Sequence, residues 1–119
     1  MSKRLSVKQA EMLNRNRYIL KKLATVNNTY RRKMLSEAPS ELFQVINVIF
    51  RILNDNNTKL SNKKEEKIKK HRRFIRSSSD LKVSAIKRKL KNQRGGFWSA
   101  ILSAALPLVA PLVKSILKK

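Results

Sequence analysis

The sequence predicts an all-α fold, a small helical array with a basic middle segment and an apolar C-terminal helical tail, partly disordered. Three observations carry this. Glycine occurs twice and proline three times in 119 residues, so most of the chain is free of helix breakers. Apolar residues recur at helical spacing in several windows. Charge divides the chain into three stretches: residues 1–55 carry 11 basic and 4 acidic side chains, 56–94 carry 15 and 3, and 95–119 carry 3 and none. The first reads as a helical core or self-association region, the second as basic helices, the third as a tail led by a double glycine.

Leu13, Leu20, Leu23, Tyr30 and Met34 predict helix over 7–35, with Asn27-Asn28 a weak interruption able to split it. A better start signal follows. Pro39 suits a first helical position and Glu41 complements the positive helix end, after which Leu42, Val45, Ile46, Ile49 and Leu53 form one apolar face. Val48, Phe50 and Ile52 widen that face, so the helix over 38–53 needs two neighbours, or another copy of the chain, to cover it. Asn54-Asp55-Asn56-Asn57 is a turn cluster. Ser61 is a cap for one helix running to Arg76, with Ile68, His71 and Ile75 on a narrow face. Ser77-Ser78-Ser79-Asp80 breaks and recaps the chain before Leu81, Val83, Ile86 and Leu90.

Residues 95–113, GGFWSAILSAALPLVAPLV, are uncharged. This approaches bilayer-spanning length, but Pro107 and Pro111 make it a poor continuous membrane helix. It fits an interfacial segment better, with Trp98 and the terminal lysines as anchors and Phe97, Trp98, Ile101, Leu102, Leu106, Leu108, Val109, Leu112 and Val113 as candidate membrane contacts. The plainer alternative is a helix that completes the core.

The 29 Lys and Arg against 7 Asp and Glu leave a net charge of +22. Self-repulsion on that scale works against compaction unless a polyanion supplies counter-charge, so nucleic acid or an anionic membrane surface is the expected partner. Candidate phosphate contacts are Lys63, Lys64, Lys67, Lys69, Lys70, Arg72, Arg73, Arg76, Lys82, Lys87, Arg88, Lys89, Lys91 and Arg94. Binding through them would be insensitive to base sequence, because no zinc-finger spacing, leucine zipper or RNP-type aromatic stretch accompanies them. The plainer reading is a solvated charged surface.

Catalysis is not expected. The chain has no cysteine and one histidine, which excludes disulfides, thiolate-held metals and a thiol nucleophile and leaves His71 without partners for a triad or metal site. No cofactor or metal is expected. His71 could titrate in an acidified compartment, its cationic neighbours pulling its pKa down, or simply pack on Ile68 and Ile75. Ser77, Ser78 and Ser79 read as a capping turn or as phosphorylation sites. The amino terminus shows no apolar signal-peptide region, so a start in the cytosol or nucleus is expected.

The stretch Gln93-Arg94-Gly95-Gly96-Phe97, a basic block ending in Arg-Gly-Gly followed by the Pro-punctuated ALPLVAPLV at 105–113, resembles the precursor of the small DNA-condensing core peptide (mu, or protein X) of adenoviruses. With the helical front YRRKMLSEAPSELFQVINVIFRIL at 30–53, the layout also resembles small proteins of adintoviruses and Maverick (Polinton) elements, virus-like DNA transposons of animal genomes. The resemblance is one of pattern over residues 30–113. It implies a virion-type core protein packaging double-stranded DNA, located in a virion or host nucleus, with a capsid protein and an adenovirus-like cysteine protease as partners. It further implies a maturation cut between Gly96 and Phe97, making Gly95, Gly96 and Phe97 the candidate processing site. Gln93 stands where that protease usually meets Met, Leu or Ile, and the middle segment is mainly lysine where the adenovirus peptide is arginine-rich. Read structurally, the same glycines would serve as a helix terminator. A membrane-active cationic protein, and a helical scaffold that self-associates through Pro39 to Leu53, are the alternatives.

Overall fold

Ser6 opens the first helix with a capping box: its hydroxyl accepts from the Gln9 amide and the Gln9 side chain accepts from the Ser6 amide, both at 3.0 Å. In the computed structural model, which describes residues 5–54, 60–78, 82–93 and 95–117, this helix is α1 (Val7–Thr25). Six more follow: α2 (Asn28–Glu37), α3 (Ser40–Asn54), α4 (Asn62–Lys69), α5 (Arg72–Ser78), α6 (Val83–Leu90) and α7 (Gly95–Leu117). There is no strand among the described residues. The all-α class is as the sequence predicts.

The expected helix over 7–35 is two helices. Val26 and Asn27 are extended, and the Asn27 side chain accepts from the Tyr30 amide at 2.8 Å, so an asparagine that interrupts one helix caps the next. Arg31 fixes the corner. Its buried guanidinium donates to the Leu23 carbonyl at 2.6 Å, to Asn28 Oδ1 at 2.7 Å and to the Val26 carbonyl, three acceptors that the chain reversal would otherwise strand.

Helix α3 is the centre of the fold. Pro39 lies one residue before its start, its carbonyl accepting from the Leu42 amide at 3.1 Å. Ten of its fifteen residues are buried, and α1, α5, α6 and α7 all pack on it. The wide apolar face is therefore covered within one chain. Glu41 ties its first turn to α1, accepting from Arg15 at 2.8 Å and from Asn16 at 3.0 Å.

The single helix expected from Ser61 to Arg76 is broken at Lys70-His71. Packing explains the break. Ile68 on α4 and Ile75 on α5 are both fully buried, but α4 lies against α7 whereas α5 lies against α3, and one straight helix could not serve both neighbours. Arg72 pins the corner, pairing with Glu65 at 2.9 Å and donating to the Leu53 carbonyl. Ser79 and Asp80 lie outside the described residues, and the position that caps α6 is Lys82, which makes no side-chain cap hydrogen bond. Helix α6 then puts Ile86 and Leu90 onto α3, so each basic helix is anchored by at least one side chain worth roughly 1.5–3 kcal/mol of burial.

Helix α7 is the apolar helical tail that the sequence predicts, and it runs unbroken for 23 residues with Pro107 and Pro111 inside. The prolines are four apart and exposed, so the carbonyls of Ser103 and Pro107, which lose their helical donors, lie on the solvent side. The opposite side is apolar. Phe97, Trp98, Ile101, Leu102 and Val109 join one core with residues from α1, α3, α4, α5 and α6, and the most extensive interface of α7 is with α1. The radius of gyration, 13.5 Å, equals the ~13.5 Å that a single globular body of this length should have, so the three stretches of the sequence share one core.

Candidate nucleic-acid interface

Helices α4, α5 and α6 have short apolar stripes, so most of their lysines and arginines have nowhere to go but outward. Lys63, Lys67, Lys69, Lys70, Arg73, Arg76, Lys82, Arg88 and Lys91 are exposed. The described acids on these helices are Glu65, already held by Arg72, and Glu66. Among the described residues, exposed cations on these helices far outnumber exposed acids.

The other predicted contacts are placed differently. Arg72 is engaged inside the fold by Glu65 and Leu53, as described. Lys87 and Lys89 are half-buried, their ammonium groups 5.6 Å from the ring centre of Phe43 and 5.2 Å from that of Phe74, and Lys89 also donates to the Ser77 hydroxyl at 3.2 Å. Lys64 is half-buried, and Arg94 lies outside the described residues. Ser77 and Ser78 belong to α5, where Ser78 is buried, rather than to a free turn.

Sequence reading missed a second cationic area. Helices α1 and α2 expose Arg17, Lys21, Arg32 and Lys33, and Lys22 sits between two exposed tyrosines, 5.5 Å from the Tyr18 ring centre and 6.0 Å from that of Tyr30. The spacing of Tyr18 and Lys22, four residues apart on one helix, was the available signal. Tyr30 reaches them only because Asn27 turns the chain.

The start of α7 is where the glycine reading changes. Gly95 and Gly96 begin a helix instead of ending one, and the Gly95 amide donates to Asn28 Oδ1 at 3.2 Å, which fastens the end of α7 to the Arg31 corner. Neither glycine has positive φ. A Cβ on Gly95 would meet its nearest atom at 3.6 Å, an ordinary contact, and one on Gly96 would meet nothing within 4 Å. Space and backbone conformation thus leave both glycines unexplained, although glycine in a helix costs about 1 kcal/mol relative to alanine.

Phe97 follows them into an aromatic cluster. Its ring meets His71 at 5.2 Å, Phe74 at 5.0 Å and Trp98 at 5.5 Å, all edge-on. Of the candidate membrane contacts, Phe97, Trp98, Ile101, Leu102 and Val109 are buried, Leu106, Leu108 and Val113 are half-buried, and Leu112 is 40 % exposed. Helix α7 has the length and composition to cross a bilayer, but here it is folded into the protein.

His71 therefore packs on Phe97 as well as beside its own helix turn. Burial, with a smaller contribution from Lys70, holds its pKa below the ordinary histidine value, and Nε2 is buried without a hydrogen-bond partner among the described residues. The unfolded chain accordingly takes up a proton near pH 6.5 that the folded chain resists, so stability falls as pH drops below about 6.5. Thermal melts between pH 7 and pH 5 should show this loss, up to about 1.4 kcal/mol per pH unit, and His71→Phe should flatten it. The Arg15 and Asn16 hydrogen bonds hold the Glu41 carboxyl below its ordinary value, away from that window.

Together, fold and surface define a small cationic all-helical protein with a folded apolar helix behind a double glycine. Comparison with protein-family models, with curated proteins and with solved structures finds no match to the chain.

Proposed function

We propose that this protein is a non-enzymatic, virion-type core protein that binds and condenses double-stranded DNA through lysine and arginine contacts to phosphate. The observation that carries the reading is the cationic surface of α4, α5 and α6, where Lys63, Lys67, Lys69, Lys70, Arg73, Lys82, Arg88 and Lys91 are exposed and, among the described residues, Glu66 is the one acid there not held by an arginine. Such a surface releases counterions from any duplex, whatever its sequence. The likeness to adenovirus core-peptide precursors and to adintovirus and Maverick proteins gives the binding its context: genome packaging inside a capsid, in a virion or host nucleus.

The double glycine supports the second part of that context. Since neither packing nor backbone conformation calls for glycine at 95 and 96, recognition by a maturation protease is a reason for their presence that the fold does not supply. Cleavage between Gly96 and Phe97 would require the first turn of α7 to open, because Phe97 is 3 % exposed. Co-expression with an adenovirus-like protease and mass measurement tests this; an intact chain contradicts it.

Condensation is tested by light scattering of long duplex DNA. Addition of the protein near charge neutrality should collapse the DNA at low salt, random and defined sequences alike, and 0.5 M salt should reverse it. Soluble, extended DNA at neutrality rules the function out. The membrane-active alternative has one favouring observation, the bilayer-length α7. Leakage from anionic vesicles that persists in a chain ending at Gly96 would exclude it.

A further inference from the structure

Between α1 and the second half of α7 lies a groove of about 330 Å³. Leu13 and Leu20 from α1 and Val109 and Val113 from α7 form its apolar floor, with Asn14 and Ala110 on its walls. Pro107 belongs to the lining, and the last turns of α7 are less deeply packed than the first, with Leu112 40 % exposed.

Three cations border it, Arg17 and Lys21 one turn apart on α1 and Lys114 near the end of α7. All three are exposed, and none of their side chains makes a hydrogen bond or ion pair among the described residues. Among the described residues, no carboxylate lines the groove. An apolar trough with an unopposed cationic rim selects for a molecule with an apolar body and an anionic head.

We infer that this groove binds a single-chain anionic amphiphile, a long-chain carboxylate, with its hydrocarbon over Leu13, Leu20, Val109 and Val113 and its carboxylate at Arg17, Lys21 and Lys114. The volume lies at the low end of the ~300–1,000 Å³ range of ligand pockets, which suits one chain better than a two-chain lipid. A second copy of the protein would bring another +22 against the same rim. This ligand is separate from the DNA reading, which uses α4, α5 and α6.

Calorimetry on the full chain with decanoate, decanol and decyltrimethylammonium, all below their micellar concentrations, tests it. Decanoate should bind one to one, more tightly than decanol, with the cationic analogue showing no binding. Shortening to octanoate should weaken binding about 15-fold, since each buried methylene is worth about fourfold. Ala110→Trp should abolish the one-to-one event, and Asn14→Trp, from the facing wall, should do the same if the first variant melts early. Arg17→Gln/Lys21→Gln/Lys114→Gln should lose the preference for decanoate over decanol, while Arg73→Gln/Arg88→Gln/Lys91→Gln should keep it. Equal losses in the two triple variants, or decanoate binding unchanged in both tryptophan variants, would overturn the assignment.

Discussion

Trp98→Ala should cost about 3–5 kcal/mol, the range for deleting a fully buried tryptophan. Trp98 is 1 % exposed and sits where α7 meets the rest of the core, its ring edge-on to Phe97, which in turn touches His71 and Phe74. The side chain lies in the shared core and backs the Phe97 ring that meets Phe74 of α5, and its loss leaves a cavity that the close-packed interior cannot fill. For a domain holding roughly 5–15 kcal/mol in total, that is a large fraction. Chemical denaturation followed by far-UV circular dichroism should show the midpoint fall sharply. If α7 were a detachable tail, the variant would melt like the parent. A chain ending at Gly96 should lose cooperative unfolding altogether, because α1 and α3 would then expose the faces that α7 covers.

Lys67→Gln/Lys70→Gln/Arg73→Gln should weaken duplex binding by about 10²–10³-fold near 0.1 M salt, because each phosphate contact contributes about 0.9 to the logarithmic salt slope. The slope itself should shrink by about one per residue removed. Arg72→Gln should behave in the opposite manner. It breaks the pair with Glu65 and the bond to the Leu53 carbonyl, so it should cost about 1–3 kcal/mol of stability and leave the slope of the folded protein nearly unchanged. Two arginines adjacent in sequence thus separate into one facing outward and one holding the α4–α5 corner. Equal effects of both substitutions on DNA binding would remove the distinction.

That pair also marks how far sequence reading reaches. Helix α3 was legible because its apolar residues are dense, bounded and capped by Pro39 and Glu41, and local pattern and tertiary burial agree there. The break at Lys70-His71 was not, since Ile68, His71 and Ile75 have the spacing of one helical face and only the positions of α7 and α3 require two helices. The helical tail was legible too, and its two prolines are tolerated because the carbonyls they free lie on the solvent side, where Pro107 and Pro111 are exposed. The Arg31 corner was invisible as well. Nothing in a run of Tyr-Arg-Arg-Lys says which cation turns inward, until the carbonyls of Leu23 and Val26 come within reach. The candidate site shows the same division, with charge density read correctly from composition and the sorting of outward from engaged cations left to the fold.

The central claim is that outward-facing lysines and arginines bind polyphosphate by counterion release. Its most direct test is the affinity of the purified full chain for a short random-sequence duplex, measured by fluorescence anisotropy from 50 to 200 mM salt. Six to ten phosphate contacts predict a fall of about 10³–10⁵-fold over that interval, along a straight line on logarithmic axes. An affinity that stays constant across the same range, or no binding at its lower end, contradicts the claim.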